Sequence, residues 1–166
     1  CLIDLAYRLR GRRDAGFVFV GRGSDVPRLR AMAEAQGLDG VQFIDEVDSE
    51  SIPGLLAQCH VGLIALDPRH TTHNIPGKLL TYLHAGLPVL ARINYGNDLE
   101  ALINDEGIGF VVAGDRQEEL QRGAEELLGR TRQHCVDRSP VNGHSFLIRR
   151  IVRQVGADHE QVVFCE

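Results

Sequence analysis

The chain of 166 residues is 43% hydrophobic and 25% charged, which is the composition of a globular protein and excludes an intrinsically disordered one. Its formal net charge of −5 argues against a protein that coats nucleic acid, so no nucleic-acid partner is expected. The length predicts one domain over residues 1–166, and no apolar run approaches the roughly 20 residues of a membrane-spanning helix.

An amphipathic helix opens the chain, because the apolar residues of "CLIDLAYRLR" (residues 1–10) fall on one helical face. An opening helix of this kind normally follows a strand, and the sequence does not begin with Met. We therefore expect the chain to be a fragment of a larger, two-domain protein.

Five strand-helix units follow this helix. The first begins with "FVFV" (17–20), a run of β-formers, and continues through a glycine-rich turn to Asp25 and Pro27, which predict an N-cap and a helix start. Four more apolar strands, each with a helix after it, are predicted at 41–44, 60–66, 88–92 and 109–112, with helices at 51–58, 76–85, 98–104 and 118–128. A closing helix is predicted over 140–156.

Strands that are apolar on both faces, each followed by a helix, predict a Rossmann-like α/β fold, with a parallel β-sheet covered by helices on both faces. In such sheets ligands bind beyond the carboxyl ends of the strands. Gly21, Arg22 and Gly23 follow the first strand, and the glycines would let backbone amides approach an anion. A GxG alone is equally compatible with an ordinary tight turn, and neither GxGxxG nor a P-loop motif is present.

A stronger anion signal lies at the fourth helix. Pro76 and Gly77 open this helix beside Lys78, so backbone amides, the positive helix end and an ammonium group could together hold a diphosphate. The structural alternative is a helix-starting proline followed by a solvated surface lysine. A second anion-suited turn follows the next strand, at Gly96, Asn97 and Asp98.

The ordered segments "FVFVGRGSD", "VQFIDEVDSESIPGLLAQCHVGLIAL", "IPGKLLTYLHAGLPVLAR" and "EGIGFVV" resemble the C-terminal, nucleotide-sugar-binding domain of a GT-B glycosyltransferase of family 4. The resemblance covers roughly residues 1–156. The segment "PGKLLTYLHAGLPVL" is most similar to the matching segment of transferases that build bacterial capsule, O-antigen or other lipopolysaccharide glycans.

This resemblance implies a retaining transfer from a nucleoside-diphosphate sugar, most often a UDP-sugar, without a required cofactor or metal. The glycan or lipid-linked acceptor would bind an N-terminal domain outside these residues, so the isolated domain would be inactive. The four cysteines lack metal-ligand spacing, as is typical of a reducing compartment, so we expect a cytoplasmic protein. Peripheral association with the inner face of the cytoplasmic membrane is compatible with such an acceptor.

The family carries two carboxylates eight positions apart, which contact the donor sugar and the ribose. This chain departs from that pattern, with His73 at the first position and Thr81 at the second, so Thr81 is expected at the ribose and His73 or Asn74 at the sugar. The resemblance also places Asp45 and Glu46 near the base. His73 and Lys78 are the catalytic candidates, and the predicted donor-binding residues are Gly21, Arg22, Gly23, Asn74, Pro76, Gly77, Leu79, Thr81, Gly96, Asn97 and Asp98.

Three other interpretations stay open from the sequence. His70 and His73 form an HxxH pair that could bind a metal, although no third ligand is nearby and no metal site is expected. A nucleotide-sugar epimerase has the same architecture but needs acid and base side chains from both domains. A non-catalytic nucleotide-sugar-binding module is compatible with the absence of the two carboxylates.

Overall fold

The computed structural model describes residues 2–66, 75–134 and 162–165, with side chains described for 2–66 and 75–130. The chain divides into two compact units, Cys1–His60 with Ser139–Glu166, and Val61–Arg138. We call them unit 1 and unit 2.

Unit 1 is built on a parallel sheet with the strand order β2-β1-β6. Its elements in chain order are α1 (Leu2–Leu9), β1 (Gly16–Val20), α2 (Val26–Ala35), β2 (Val41–Ile44), α3 (Ile52–Leu56) and β6 (Val162–Cys165). Val18 of β1 pairs with Gln42 on one side and with Phe164 on the other. The apolar face of α1 is buried, as its spacing predicts: Ile3 and Leu5 are fully inaccessible to solvent.

Unit 2 is built on a second parallel sheet, with the order β3-β4-β5. Its elements are β3 (Val61–Ala65), α4 (Gly77–His84), β4 (Val89–Ile93), α5 (Leu99–Glu106), β5 (Gly109–Ala113) and α6 (Gln117–His134). Ala65 pairs with Arg92, and Ile93 pairs with Ala113, so the three strands end together. Helices α5 and α6 both pack on β4 and β5. Parallel strands flanked by helices in both sheets confirm the predicted α/β, Rossmann-like class.

Tyr82 fastens α4 to β3 in the core of unit 2. The side chain is fully buried, and its hydroxyl donates a hydrogen bond of 3.2 Å to the carbonyl oxygen of Leu63. The ring lies against the backbone of Gly62, where an added Cβ would collide with it. A side chain at position 62 would therefore force α4 away from the strand.

Asp25 is the N-cap residue of α2, as predicted, but its side chain does not cap the helix. A capping side chain normally requires an extended backbone at its own residue, whereas Asp25 has helical angles (φ −85°, ψ −16°) and makes no capping hydrogen bond. Its carboxylate instead pairs with Arg28 at 3.2 Å. Two further differences concern α6, which continues past its predicted end to His134, and β6, which was not predicted.

The predicted closing helix over 140–156 lies outside the described residues. Cys59 is a core residue, 1% exposed, and burial raises the pKa of its thiol. Within the described ranges, no helix has both the length and the apolar character needed to cross a bilayer.

Two glycines of α6 provide a matched test of the packing between α6 and β5. A Cβ on Gly123 would lie 2.6 Å from Cγ of Phe110, whereas a Cβ on Gly129 would meet no atom within 4 Å. We expect Gly129→Ala to raise the free energy of unfolding by about 0.5–1 kcal/mol, because alanine favours the helix. Gly123→Ala should lower it by about 1–3 kcal/mol, because Phe110 must move.

Urea denaturation of both variants, followed by circular dichroism, measures the difference. Since both substitutions bring the same gain in helix propensity, their difference isolates the contact with Phe110. Equal stabilisation by the two alanines would contradict that contact.

Candidate functional site

The start of α4 combines several features suited to an anion. Pro76 is the N-cap residue, with an extended backbone (φ −65°, ψ 136°), and the helix begins at the exposed Gly77. The N–H groups in the first turn of a helix have no acceptor within the helix, and the helix dipole makes this end positive. No acidic residue lies in this first turn, so nothing in it offsets the positive field.

Lys78 and Thr81 lie on the same side of α4, three positions apart, and both are half-buried. Lys78 is also the only lysine in the sequence. Leu79 points away from them into the core, with 1% of its surface exposed, and its N–H donates to the carbonyl of Pro76 at 3.0 Å. The side chain of Leu79, which the sequence analysis grouped with the donor-binding residues, therefore has a packing role.

The start of α5 is organised by Asn97. This side chain is 3% exposed, and its Oδ1 accepts a hydrogen bond of 3.0 Å from the N–H of Leu99. Its Nδ2 lies 3.4 Å from Oδ1 of Asn94, which is also buried. Gly96, with φ +75°, turns the chain before it, and Asp98 is exposed and makes no side-chain cap. The side-chain amide of Asn97 therefore already accepts a hydrogen bond from one of the N–H groups at this helix start.

Charge distinguishes the two helix starts of unit 2. At α5 an exposed carboxylate stands at the N-cap position, Asp98, and another, Glu100, lies in the first turn. Carboxylates at this end already complement the helix dipole and would repel a phosphate. The first turn of α4 instead carries the ammonium group of Lys78 and no acidic residue. Of the two predicted anion sites in unit 2, the start of α4 is therefore the one with a charge suited to an anion.

The turn after β1, in unit 1, is linked to the residues after β2. The N–H of Gly21 donates to the carbonyl of Ile44 at 3.0 Å, which extends the strand pairing by one residue. Arg22 pairs with Glu46 at 3.1 Å, and its guanidinium is exposed. An exposed pair of this kind contributes little to stability and exchanges readily, so Arg22 can still turn toward an anion. Gly23 is exposed.

A second ion pair in unit 1 joins Arg30 and Asp45 at 3.8 Å. Asp45 and Glu46, predicted to lie near the base of the nucleotide, therefore each have a basic partner. The predicted site residues of unit 1 are Gly21, Arg22 and Gly23, and those described in unit 2 are Pro76, Gly77, Lys78, Leu79, Thr81, Gly96, Asn97 and Asp98.

A cluster of polar side chains at the ends of β4 and β5 was not predicted from the sequence. Nη1 of Arg92 donates to Oδ1 of Asp115 at 3.1 Å, and Nε2 of Gln117 donates to the same oxygen at 2.7 Å. These contacts, that of Gln117 foremost and then that of Arg92, lower the pKa of Asp115. Tyr95 lies beside this cluster, against Gly114. The arginine in an otherwise apolar strand was the available signal, but its partner follows only from the strand register.

Three predicted residues, His70, His73 and Asn74, lie outside the described residues, so their roles stay predictions. In the part of the chain that the structure describes, no group of three or more His, Cys, Asp or Glu residues is placed to hold a metal ion.

A protein-family model matches most of this chain, and a known protein matches half of it. The family model described as "Glycosyl transferases group 1" matches residues 1–130. Glucosyltransferase 3 of Streptococcus gordonii is 40% identical over 83 residues, which are 50% of this chain and 23% of that relative. The matched part thus spans less than a quarter of the relative's length.

The titration of Asp115 tests the cluster at the ends of β4 and β5. A lowered pKa means that ionised Asp115 stabilises the folded state above its ordinary pKa of 3.8, and that this contribution is lost as the pH falls through the lowered value. We expect Gln117→Ala to raise the titration midpoint of Asp115 toward 3.8, as followed by carboxyl chemical shifts in NMR.

Gln121→Ala is the matched control, because the amide of Gln121 donates to Glu125 at 3.0 Å on the same helix. An unchanged midpoint in Gln117→Ala would rule out the hydrogen bond as the cause of the lowered pKa.

Proposed function

The chain belongs to the glycosyl transferases group 1 family, and from that premise we propose that it is the donor-binding domain of a retaining GT-B glycosyltransferase. The domain binds a nucleoside-diphosphate sugar, and the sugar passes to a glycan or lipid-linked acceptor held by another domain. The observation that carries this proposal is the start of α4, where the only lysine in the sequence stands beside an exposed glycine and the first turn contains no acidic residue.

The diphosphate of the donor binds at Gly77 and Lys78. Backbone amides and the helix dipole hold phosphate oxygens at a helix start, and the ammonium group adds a charge-assisted hydrogen bond. Thr81, on the same side of the helix, offers a hydroxyl to the ribose. The loop at Gly96 supplies further polar contacts, and Asn97 acts by shaping that loop.

Electrostatic stabilisation of the leaving group drives the reaction. As the bond between the sugar and the diphosphate breaks, negative charge grows on the departing phosphate oxygen, and fixed positive groups stabilise this charge more than that of the ground state. Lys78 and the start of α4 perform this task, so the reaction requires no metal ion or cofactor. His73, in place of a carboxylate of the family 4 pattern, contacts the transferred sugar.

UDP-glucose is the first donor to test. Streptococcus gordonii glucosyltransferase 3 is named for glucosyl transfer, and a UDP-sugar agrees with the resemblance to enzymes of capsule and lipopolysaccharide synthesis. UDP-N-acetylhexosamines are the second choice. An acceptor in cell-surface polysaccharide synthesis would place the enzyme in the cytoplasm, in peripheral contact with the inner face of the cytoplasmic membrane.

Calorimetric titration with UDP, GDP, UDP-glucose and UDP-N-acetylglucosamine tests the donor site. We expect Lys78→Ala to weaken binding of the preferred nucleotide about tenfold to a hundredfold, the cost of losing a charged hydrogen bond. Gly77→Val should weaken binding by covering the helix start. A Cβ at position 77 meets no atom within 4 Å, so the added side chain has room in the fold.

Arg122→Ala, which removes a cation from the exposed surface of α6, is the control for a general change in charge. Nucleotide binding that both Lys78→Ala and Gly77→Val leave unchanged would place the site elsewhere. Binding of none of the four ligands, by this chain or by the full-length protein, would overturn the proposed function.

The single lysine permits a direct test of its contact with the ligand. Reductive methylation with ¹³C-formaldehyde keeps the charge of an amine and labels only Lys78 and the terminal amino group. We expect addition of UDP to shift the Lys78 signal and to leave the terminal signal in place. A Lys78 signal that does not respond at saturating UDP would contradict the phosphate contact.

A further inference from the structure

Tyr95 is the most exposed of the large apolar or aromatic side chains in the described residues, at 72%, against 41% for Tyr7. It stands in the loop between β4 and α5, two residues before the buried Asn97. A single exposed aromatic residue is common on protein surfaces and carries no meaning alone. What distinguishes Tyr95 is that its ring packs against the backbone of a glycine, which we call its seat.

The seat of the ring is Gly114, at the end of β5. A Cβ on Gly114 would lie 2.6 Å from the Tyr95 hydroxyl oxygen and 2.7 Å from Cε2 and Cζ, closer than such contacts occur. The phenol end of the ring therefore rests on the glycine backbone. Gly114 also has φ +81°, a left-handed backbone conformation that independently favours glycine at this position.

Hydrogen bonds on both sides of Gly114 hold this seat in place. The N–H of Gly114 donates to the carbonyl of Ile93 at 2.7 Å, and Nε of Arg116 donates to the carbonyl of Ala113 at 3.1 Å. The ion pair between Arg92 and Asp115 then joins β4 to the turn after β5. These contacts hold the backbone of Gly114 on which the ring rests, so the support of the ring is formed before any ligand arrives.

An aromatic ring with solvent access suits one kind of ligand group, the flat apolar face of another ring. Bases stack on such side chains, and the apolar face of a sugar packs against them in the same way. Tyr95 lies at the carboxyl end of β4, the edge at which ligands of parallel sheets bind. The neighbouring strand β3 ends at the same edge and leads to α4, with Lys78 in its first turn.

We propose that Tyr95, seated on Gly114, is a stacking platform for a ring of the donor, the transferred sugar or the nucleobase. This inference rests on the proposed function, because it assigns a second contact to the same donor. It adds a binding residue that the family pattern of carboxylates does not include.

Affinities for UDP-glucose, UDP and inorganic pyrophosphate, measured on the unsubstituted protein and on Tyr95→Ala, test the platform. We expect Tyr95→Ala to weaken binding of UDP-glucose about tenfold, the scale of one stacked ring, and Tyr95→Phe to retain it. Pyrophosphate has no ring, so its affinity should not change. If Tyr95→Ala loses affinity for both UDP and UDP-glucose, the ring stacks on the nucleobase. If it loses affinity for UDP-glucose alone, the ring stacks on the sugar.

Substitution of Gly114 provides a second, independent test of the platform. Gly114→Ala should displace the ring and weaken UDP-glucose to a similar extent, but should have no further effect in the Tyr95→Ala background, because both changes act through one ring. Tyr7→Ala removes the other exposed tyrosine, on α1, and should leave the affinity unchanged.

Fluorescence gives a readout that does not depend on activity. The protein has three tyrosines and no tryptophan, and Tyr82 is buried. A ligand-induced change in tyrosine emission should therefore vanish in Tyr95→Phe, although that variant still binds. A change that persists there would place the ligand away from residue 95 and overturn the proposal.

The outcomes separate the two proposals. Unchanged affinity of Tyr95→Ala for both UDP and UDP-glucose, with Lys78→Ala impaired, would overturn the platform and leave the donor site standing. If neither this chain nor the full-length protein bound any of UDP, GDP, UDP-glucose and UDP-N-acetylglucosamine, the proposed function and the platform would both be overturned.

Discussion

Parallel pairing of neighbouring strands is the constraint on which the other features depend. Each parallel pair needs a crossover through a helix, so every loop that leaves a strand at its carboxyl end lies at one edge of its sheet. In unit 2 the pairing of Ala65 with Arg92 and of Ile93 with Ala113 brings the ends of all three strands level. The loop at Tyr95 and the turn at Gly114 meet at this edge because of that register, although the two residues are 19 positions apart along the chain.

Much of the fold could be predicted because its signals are local. Continuous apolar runs such as "FVFV" and "VGLIA" cannot face solvent on either side, and the helix between each pair of runs carries its own periodicity. The residue type of Asp25 predicts the position of the N-cap but not a capping hydrogen bond, because its backbone is helical. Strand β6 was missed because it forms its sheet contacts with β1, far away in the sequence.

The candidate site was less accessible to sequence reasoning, because residue type does not reveal which group a side chain already satisfies. Gly77 and Gly96 look equivalent as helix-opening turns, but only the structure separates a helix start beside an ammonium group from one with carboxylates and an asparagine cap. Similarly, Arg22 is a clear anion candidate in the sequence, whereas the structure gives it Glu46 as a partner. Contacts such as that between Arg92 and Asp115 depend on register, which a single sequence does not encode locally.

The ring of Tyr82 against Gly62 also restricts how this sequence can diverge. A large buried ring and a strand residue without a side chain share one volume, so neither position can change size alone without a collision or a cavity. Substitutions at positions 62 and 82 are therefore expected to occur together. A descendant with a side chain at position 62 needs a smaller residue at position 82, and then lacks the hydroxyl that ties α4 to β3.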